Sequence, residues 1–232
     1  MKNALLGKRS CYIGNPSEWK NFIKMWKEKI PFEHSEYSIV RDISFGDLVD
    51  VEDQIFDAQK RLGILFPESY KDFLRMIEFP PSPHPSNGDF FDFSGFLNIS
   101  DIDWMRSVDG DYLNIIHGFE FHENEEEYFK YGVDLFFDHL SAGFGDFLIV
   151  VAKIDVSEYL LLNTKFHSSD GEFEAAYLTP SSIIRYPNFA EMMRQFAAID
   201  CSLVENIGPA SQISLDEIDW IGGKLISNPW WR

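Results

Sequence analysis

Residues 51–77, VEDQIFDAQKRLGILFPESYKDFLRMI, contain the pattern from which the arrangement of the rest of the chain follows. Their first half places apolar side chains three or four residues apart, at Val51, Ile55, Ala58 and Leu62. Their second half has the same helical spacing, at Tyr70, Phe73, Leu74 and Ile77. Between the halves, Gly63 accepts the left-handed conformation that ends many helices, and Pro67 is tolerated in a first helical turn. The stretch predicts two short helices that meet at a tight corner and bury one apolar face.

The second half of the chain predicts a sheet followed by a helix. Residues 147–151, FLIVV, and 159–162, YLLL, are continuous apolar runs of the kind found in buried strands. After the turn sequence Asp170-Gly171, residues 172–177 alternate glutamates with apolar side chains, which predicts a strand buried on one face only. Asn188 and Glu191 then form a capping pair for a helix. The predicted inner face of that helix is formed by Phe189, Met192, Met193 and Phe196.

The segments before and after the corner give further local signals. Ser17 is expected to cap a helix that runs to about Ile30, with an inner face formed by Trp19, Phe22, Ile23, Trp26 and Ile30. Alternating apolar residues at 37–43 indicate a strand, and the prolines of 79–87 predict an exposed loop. Residues 91–97 predict a strand pair or hairpin around Gly95. Ser100 with Asp103 then predicts the start of a short helix that carries Trp104, and 106–140 are expected to be irregular.

Two parts of the chain resemble the SUKH superfamily. The first is the corner at 62–74, with the pattern LG-x-x-x-P-x-x-Y-K-x-F-L, and the second is the run LLLN…DGEFEAAYLTP…RYPNFAEMM within 160–193. The resemblance covers about residues 50–200; a second Trp usual in the turn is absent, and Tyr177 and Leu178 stand there. It implies a single α+β domain with a mostly antiparallel central sheet and helices packed mainly on one face. The expected organisation is a lead-in at 1–16, the domain at 17–205, and a Trp-rich extension at 206–232.

The resemblance also implies a function. The superfamily includes many bacterial immunity proteins against secreted toxins and a fungal regulator of cell-wall synthesis. It therefore implies a cytoplasmic immunity protein that binds and occludes a cognate toxin domain, typically a basic nuclease. A non-immunity intracellular regulator or scaffold of the same superfamily is the alternative, and an enzyme is the third hypothesis, because fold alone does not fix function.

The charge of the chain limits its partners. The formal net charge is −18, although residues 1–30 contain seven Lys/Arg and only two Glu, which leaves 13 basic and 36 acidic residues in the remainder. This balance disfavours nucleic acid and anionic membrane surfaces as partners. It favours a basic protein partner, or simply good solubility.

Acidic residues are concentrated at 101–140, a segment that contains eleven Asp/Glu and only two basic residues, Arg106 and Lys130. Such clustered carboxylates must face water or a cation, because burying them unpaired is too unfavourable. Interleaved aromatic residues add a mixture typical of protein interfaces, although a solvated loop over core aromatics would show the same pattern. The candidate partner-binding residues are Asp109, Asp111, Glu120, Glu123, Glu125, Glu126, Glu127 and Tyr128.

The sequence shows no motif of an active site. His117 and His122 with nearby glutamates form only a loosely spaced candidate metal set, and the Gly-rich SAGFGD at 141–146 lacks the lysine of a phosphate loop and indicates a turn. A glycosidase-type carboxylate pair stays open, since nothing singles one out. We expect no metal, no cofactor and no enzymatic activity.

Nothing in the sequence suggests export or insertion in a membrane. No run of 18 apolar residues occurs, and the first residues have no secretory apolar segment. Cys11 and Cys201 form no disulfide framework, so we expect free thiols in a reducing cytosol. The oligomeric state is left open.

Overall fold

The computed structural model of the chain describes residues 12–30, 38–40, 43–46, 50–78, 95–118, 131, 134–137, 143–155 and 157–201. The helices in these ranges are α1 Pro16–Lys29, α2 Val51–Leu62, α3 Glu68–Met76, α4 Met105–Val108, α5 Gly110–His117 and α6 Phe189–Cys201, with a 3-10 turn at Phe144–Phe147. The strands are β1 Ser44–Phe45, β2 Ile77–Glu78, β3 Gly95–Phe96, β4 Asp103–Trp104, β5 Asp134–Phe136, β6 Leu148–Asp155, β7 Glu158–His167, β8 Phe173–Leu178 and β9 Ser182–Tyr186.

The strands form one large antiparallel sheet and one small one. The large sheet has seven strands in the order β3-β6-β7-β8-β9-β5, with β4 also paired to β6, and the small sheet joins β1 to β2. Its centre is the β6–β7–β8 meander, in which Val150 lies opposite Leu161 and Leu161 opposite Ala176. The turn between β7 and β8 contains Gly171 at φ +84°, as the Asp170-Gly171 pair predicts.

Two apolar clusters cover the two faces of the sheet. Successive residues of a strand point to opposite faces, so Leu160 of β7 joins one cluster and Leu161 joins the other. The larger cluster holds α1, α2, α3 and α6, and the smaller cluster holds the short helices α4 and α5. The chain is thus a single α+β domain with helices packed mainly on one face, as the sequence implies.

The predicted helical corner is confirmed. Gly63 ends α2 at φ +72°, and its N–H donates to the Gln59 carbonyl at 2.9 Å. The Gln59 side chain accepts from the Phe66 N–H at 2.7 Å, which fixes the turn. Pro67 occupies the N-cap position, one residue earlier than a first-turn position. On the inner face, the Phe73 ring lies 5.4 Å from Trp19 and 5.1 Å from Phe189, measured between ring centroids, so the corner joins α1 to α6.

The N-terminal caps of α6 and α1 agree with the sequence in one case and differ in the other. The Asn188–Glu191 cap is confirmed, because the Glu191 N–H donates to Asn188 Oδ1 at 2.8 Å. The cap of α1 is Asn15 rather than Ser17, since Asn15 Oδ1 accepts from the backbone N–H groups of Ser17 and Glu18 at 3.0 and 3.1 Å. The helix therefore begins at Pro16.

Several expectations for the middle of the chain are wrong. Gly95 lies in β3, which pairs with β6, and does not form a turn. Ser100 and Asp103 do not cap a helix, because Asp103 and half-buried Trp104 form β4. Residues 105–108 and 110–117 are helical rather than irregular, in α4 and α5. In the first half of the chain, the described residues of 37–43 contain no strand, and β1 lies just after them.

The expected half-buried strand is also wrong in its burial. Every residue of β8 except Phe173 and Tyr177 is buried, and Glu174 is fully buried with Asn163 and Arg185. The acidic positions of this alternating pattern face a polar cluster inside the protein and not water. The predicted loop at 79–87 and the extension at 206–232 lie outside the described residues. The described part of the chain holds no helix with both the length and the apolar character to cross a membrane.

Candidate functional site

Helix α5 carries the first two of the predicted partner-binding residues. Asp109 precedes the helix, and its Oδ1 accepts from the Tyr112 N–H at 2.9 Å, which is the geometry of an N-cap. Asp111 lies in the first turn, where a negative charge is favoured by the helix dipole. A buried stripe of Tyr112, Leu113 and Ile116 packs the helix against the sheet. The sequence forms a helix here because a good cap precedes an apolar stripe of helical period.

Asp109 also ties the helix to the sheet. Its second oxygen, Oδ2, accepts from the Tyr159 hydroxyl at 2.6 Å, and the Tyr112 hydroxyl donates to the Thr179 carbonyl at 2.5 Å. Burial, helped by the nearby charge of Asp109, raises the pKa of Tyr112 to about 12, and burial raises the pKa of Tyr159 as well. Both phenols therefore stay protonated and act as donors. These bonds hold α5 in one orientation over β7 and the loop after β8.

The 3-10 turn at Phe144–Phe147 packs against the side of α5 that carries Leu113 and His117. Gly143 enters the turn at φ +71°, a conformation that suits glycine. A Cβ on Gly145 would lie 2.0 Å from Leu113 Cδ1 and 3.1 Å from His117 Nε2, so only glycine fits at this distance from the helix. The Gly-rich sequence at 141–146 thus includes a turn that lets α5 approach the sheet closely.

The outward side of α5 is a continuous exposed stripe. Its residues recur at helical spacing and face solvent: Asp111, Asn114, Ile115 and Gly118. Ile115 is 56% exposed, so a large aliphatic side chain lies among the polar residues of the stripe. We call this stripe, together with the exposed Asp146 and Phe147 of the 3-10 turn that packs on α5, the α5 surface.

An exposed aromatic side chain lies on the turn that packs against α5. Phe147, 39% exposed, ends the 3-10 turn, whose Gly145 lies against Leu113 and His117 of the helix. On β5, Phe136 is 63% exposed, and the next residue, Phe137, packs its ring on Tyr112 with centroids 6.4 Å apart. The α5 surface is therefore acidic and apolar together.

In the part of the chain that the structure describes, the charges around this surface are only partly balanced by cations. Arg106 Nη2 donates to the Asp146 backbone carbonyl at 3.0 Å, but its distance to the Asp146 carboxylate is 4.0 Å and both side chains are at least half exposed. A pair of that kind contributes little. Asp111 keeps an exposed carboxylate at the edge of the stripe.

The structure places the predicted site residues unequally. Asp109 and Asp111 lie together at the start of α5, the first half-buried and bonded internally, the second exposed. The remaining six lie outside the described residues, in the segment that directly follows α5: Glu120, Glu123, Glu125, Glu126, Glu127 and Tyr128. The role of all eight in binding stays a prediction.

Sequence reasoning missed the apolar members of this surface and the exposed Phe136 of β5. The expectation that 106–140 is irregular hides Ile115, although Asp109 followed by apolar residues at 112, 113 and 116 is a helix signal. The sequence predicts that Phe147 belongs to a buried strand, whereas the structure ends the 3-10 turn at this residue and starts β6 at Leu148. No local pattern distinguishes exposed Phe136 from buried Phe137; only tertiary packing does.

Two buried ion pairs lie elsewhere in the described part of the domain. Glu174 accepts from Asn163 at 2.9 Å and from Arg185 at 3.3 Å, and the Glu191 carboxylate receives two bonds from Arg194, at 2.6 and 3.0 Å. Among the described residues, no group of three or more His, Cys, Asp or Glu side chains has the geometry to hold a metal ion. These clusters hold strands and helices together.

The described residues define an α+β domain whose antiparallel sheet is covered by four helices on one face and presents an acidic and apolar surface above the other. The chain belongs to the SMI1 / KNR4 family (SUKH-1), whose family model matches residues 51–195. The match runs from the start of α2 into α6 and includes both α5 and the corner. No curated protein and no solved structure matches the chain. Family membership supports a role as an immunity protein or a related regulator, in a family that is generally not enzymatic.

Proposed function

We propose that this protein is an immunity protein that binds a cognate toxin domain through the α5 surface and the acidic segment that follows it, and that it acts by occlusion. The observation that carries the proposal is the exposed stripe on α5, where Ile115 lies beside Asp111 on a helix that the rest of the fold holds fixed. Family membership supports the general role. The toxin, its nuclease activity and its basic character belong to the proposal.

The chemistry of the α5 surface suits a basic protein partner. An exposed apolar side chain surrounded by polar and charged groups has the anatomy of an interface core with its rim. Carboxylates at the rim attract a cationic surface from a distance and raise the association rate more than the final affinity. Nucleases have cationic surfaces because they bind phosphates, so an acidic protein can cover the same surface and exclude the nucleic acid. Occlusion requires rigidity and fit, and no reacting group.

Rigidity of α5 supports this mode of binding. The helix is held at its start by Asp109 and along its inner side by Tyr112 and Leu113, so little ordering is needed when a partner binds. Binding by a preformed surface loses less conformational entropy than binding by a segment that must fold. The bonded Asp109 thus contributes by orienting Asp111 and Ile115.

The proposal is tested by binding to a toxin domain encoded beside this gene. Affinity and rates are measured by biolayer interferometry at low and high salt for the wild type, Asp111→Lys and Ile115→Asp. We expect Asp111→Lys to slow association several-fold at low salt, with a smaller effect at high salt. We expect Ile115→Asp to weaken affinity at least about tenfold, roughly 1.4 kcal/mol, as for an interface anchor.

Matched controls come from helix α2, which lies on the opposite face of the sheet. Asp53 is an exposed first-turn acid like Asp111, and Phe56 is a 61% exposed apolar residue like Ile115. Asp53→Lys and Phe56→Asp should leave binding unchanged. Equal losses for both sets would refute the α5 surface as the contact. Binding unaffected by either set would do so as well.

The acidic segment is tested separately. Reversal of its four central glutamates to lysine should reduce the association rate and flatten its salt dependence, because steering by these charges is lost. The changed residues are Glu123, Glu125, Glu126 and Glu127. An unchanged rate would exclude this segment from the contact. Absence of a neighbouring toxin gene would favour the alternative, a regulator or scaffold that binds a protein of the same cell.

A further inference from the structure

Glu172 is a buried carboxyl at the point where three parts of the fold meet. It is 1% exposed and lies between the β7–β8 turn and the first residue of β8. The Ser69 N–H donates to Glu172 Oε1 at 2.9 Å, and the Ser69 hydroxyl donates to Oε2. Ser69 is the second residue of α3. A carboxyl from the sheet therefore caps the helix of the family corner.

This cap is needed because α3 has none of its own. Its N-cap residue, Pro67, has no side-chain acceptor for the first N–H groups of the helix. Glu172 supplies the acceptor from a position about a hundred residues away in sequence. Its backbone is held in place by Ser168, whose hydroxyl accepts from the Glu172 N–H at 3.0 Å and whose N–H donates to the Glu172 carbonyl at 2.8 Å.

The segment before α1 is hydrogen-bonded to the same region through Tyr12. The Tyr12 N–H donates to Asp170 Oδ2 at 2.9 Å, and the Tyr12 hydroxyl donates to Asp72 Oδ2 at 3.1 Å while accepting from Trp19 Nε1 at 2.8 Å. Asp170 belongs to the turn before Glu172, and Asp72 lies on α3. Sheet, corner and N-terminal segment thus share one joint.

Among the described residues, the charged groups that face this joint are mainly acids. On α3, Glu68 and Asp72 face it, paired with Lys71 at 2.6 Å and Arg75 at 2.9 Å respectively. In the β7–β8 turn, Asp170 faces it, with exposed His167 at the end of β7. In the N-terminal segment, Tyr12 faces it. An ionised Glu172 is therefore both desolvated and close to other negative charges.

We propose that Glu172 is a proton-operated joint: with its carboxyl protonated, α3 and the N-terminal segment are held on the sheet, and with the carboxyl ionised, this attachment loosens. In the protonated state the Glu172 hydroxyl can donate to Ser69 Oγ, so the reversal of one hydrogen bond accommodates the proton. The device concerns the corner and is independent of binding at the α5 surface.

Electrostatics agree with the geometry. Burial raises the pKa of Glu172 from 4.5 to about 7, against the opposing effect of the two Ser69 hydrogen bonds, and Asp170 and Glu68 add to the rise. Because this pKa is higher in the folded than in the unfolded chain, the folded state binds more protons at pH values between the two pKa values. The stability supplied by this group is complete below about pH 4.5 and is lost as the pH rises through about 7.

The experiment measures unfolding in urea from pH 5 to pH 9 for the wild type, Glu172→Gln and Glu28→Gln, the last an exposed glutamate on α1. The unfolding constant of the wild type relative to Glu172→Gln should rise on the order of 100-fold across this range, since a single proton is involved. The same ratio with Glu28→Gln in place of Glu172→Gln should not change. A flat ratio for Glu172→Gln overturns the proposal.

A measurement on the wild type decides the matter even if Glu172→Gln fails to fold. The side-chain carboxyl carbon of Glu172, followed by NMR, should titrate with a midpoint near pH 7, and Ser69→Ala should move the midpoint upward because it removes a bond that favours the ionised form. Hydrogen exchange should show lower protection of the Ser69 N–H in the ionised state. A midpoint below pH 5, or protection of the Ser69 N–H that does not change with ionisation, overturns the proposal.

Discussion

Glu174→Ala should strongly destabilise the domain, because this carboxylate neutralises a buried arginine. Glu174 and Arg185 are both 0% exposed, with Arg185 Nη1 3.3 Å from Glu174 Oε2. Asn163 and Tyr131 donate to the same carboxylate at 2.9 and 3.2 Å. Removal of one partner of a buried ion pair is unfavourable by about 3–5 kcal/mol, since a desolvated charge loses its counterion. Typical domains have only about 5–15 kcal/mol of stability, so the variant should be close to unfolding at moderate urea.

The assay is equilibrium urea unfolding followed by tryptophan fluorescence, with two comparison variants. Glu174→Leu combined with Arg185→Met replaces the pair by apolar side chains of similar size and should recover most of the loss, because no unpaired charge stays buried. Asp57→Ala, at an exposed acid of α2, should change stability by no more than about 0.5 kcal/mol. A loss below about 1 kcal/mol for Glu174→Ala would refute the claim that the pair is buried and coupled.

Two further predictions concern packing. Phe73→Ala should reduce the free energy of unfolding by about 3–5 kcal/mol, because its fully buried ring contacts Trp19, Phe96 and Phe189; a near-neutral shift in thermal unfolding would show that the corner is not core. Gly145→Ala should reduce the free energy of unfolding by about 1–3 kcal/mol, because the added Cβ overpacks the contact with α5. Gly143→Ala serves as its control in the same assay, since it strains a backbone with positive φ but makes no comparable clash.

The parts of the fold that could be predicted are those in which local pattern and tertiary packing agree. The α2–α3 corner has an unbroken helical period and a glycine at the one position that needs a left-handed backbone. The Asn188 cap and the Asp170-Gly171 turn are likewise decided by neighbours in sequence. Each of these elements would adopt its conformation for local reasons, and packing only selects among close alternatives.

The failures come from contacts that are distant in sequence. The alternating acids of 172–177 are typical of a strand with one face in water, yet Glu172 caps α3 and Glu174 meets Arg185. A sequence pattern shows that a position is polar, but it does not show whether another part of the chain supplies a buried hydrogen-bonding partner for that residue. Gly95 similarly predicts a turn, whereas its pairing with β6 keeps it in a strand.

The candidate site was predictable in its charge and not in its shape. Concentration of acids at 101–140 points to the region of the chain that contains α5. Exposure of Ile115 follows only once Tyr112, Leu113 and Ile116 are placed against the sheet. A surface that combines one apolar residue with nearby acids is a property of the packed helix.

The internal use of acids changes what the net charge of −18 says about partners. Several carboxylates are bonded inside the domain and contribute less to attraction at its surface: Asp109, Glu172, Glu174, Glu191 and Asp200. Asp111→Lys and Asp53→Lys change the net charge by the same amount, at equivalent positions in two helices on opposite faces of the sheet. A partner drawn by overall charge would lose association rate equally with both variants. A partner that docks on α5 would respond to the first alone, and this difference separates a specific contact from general acidity.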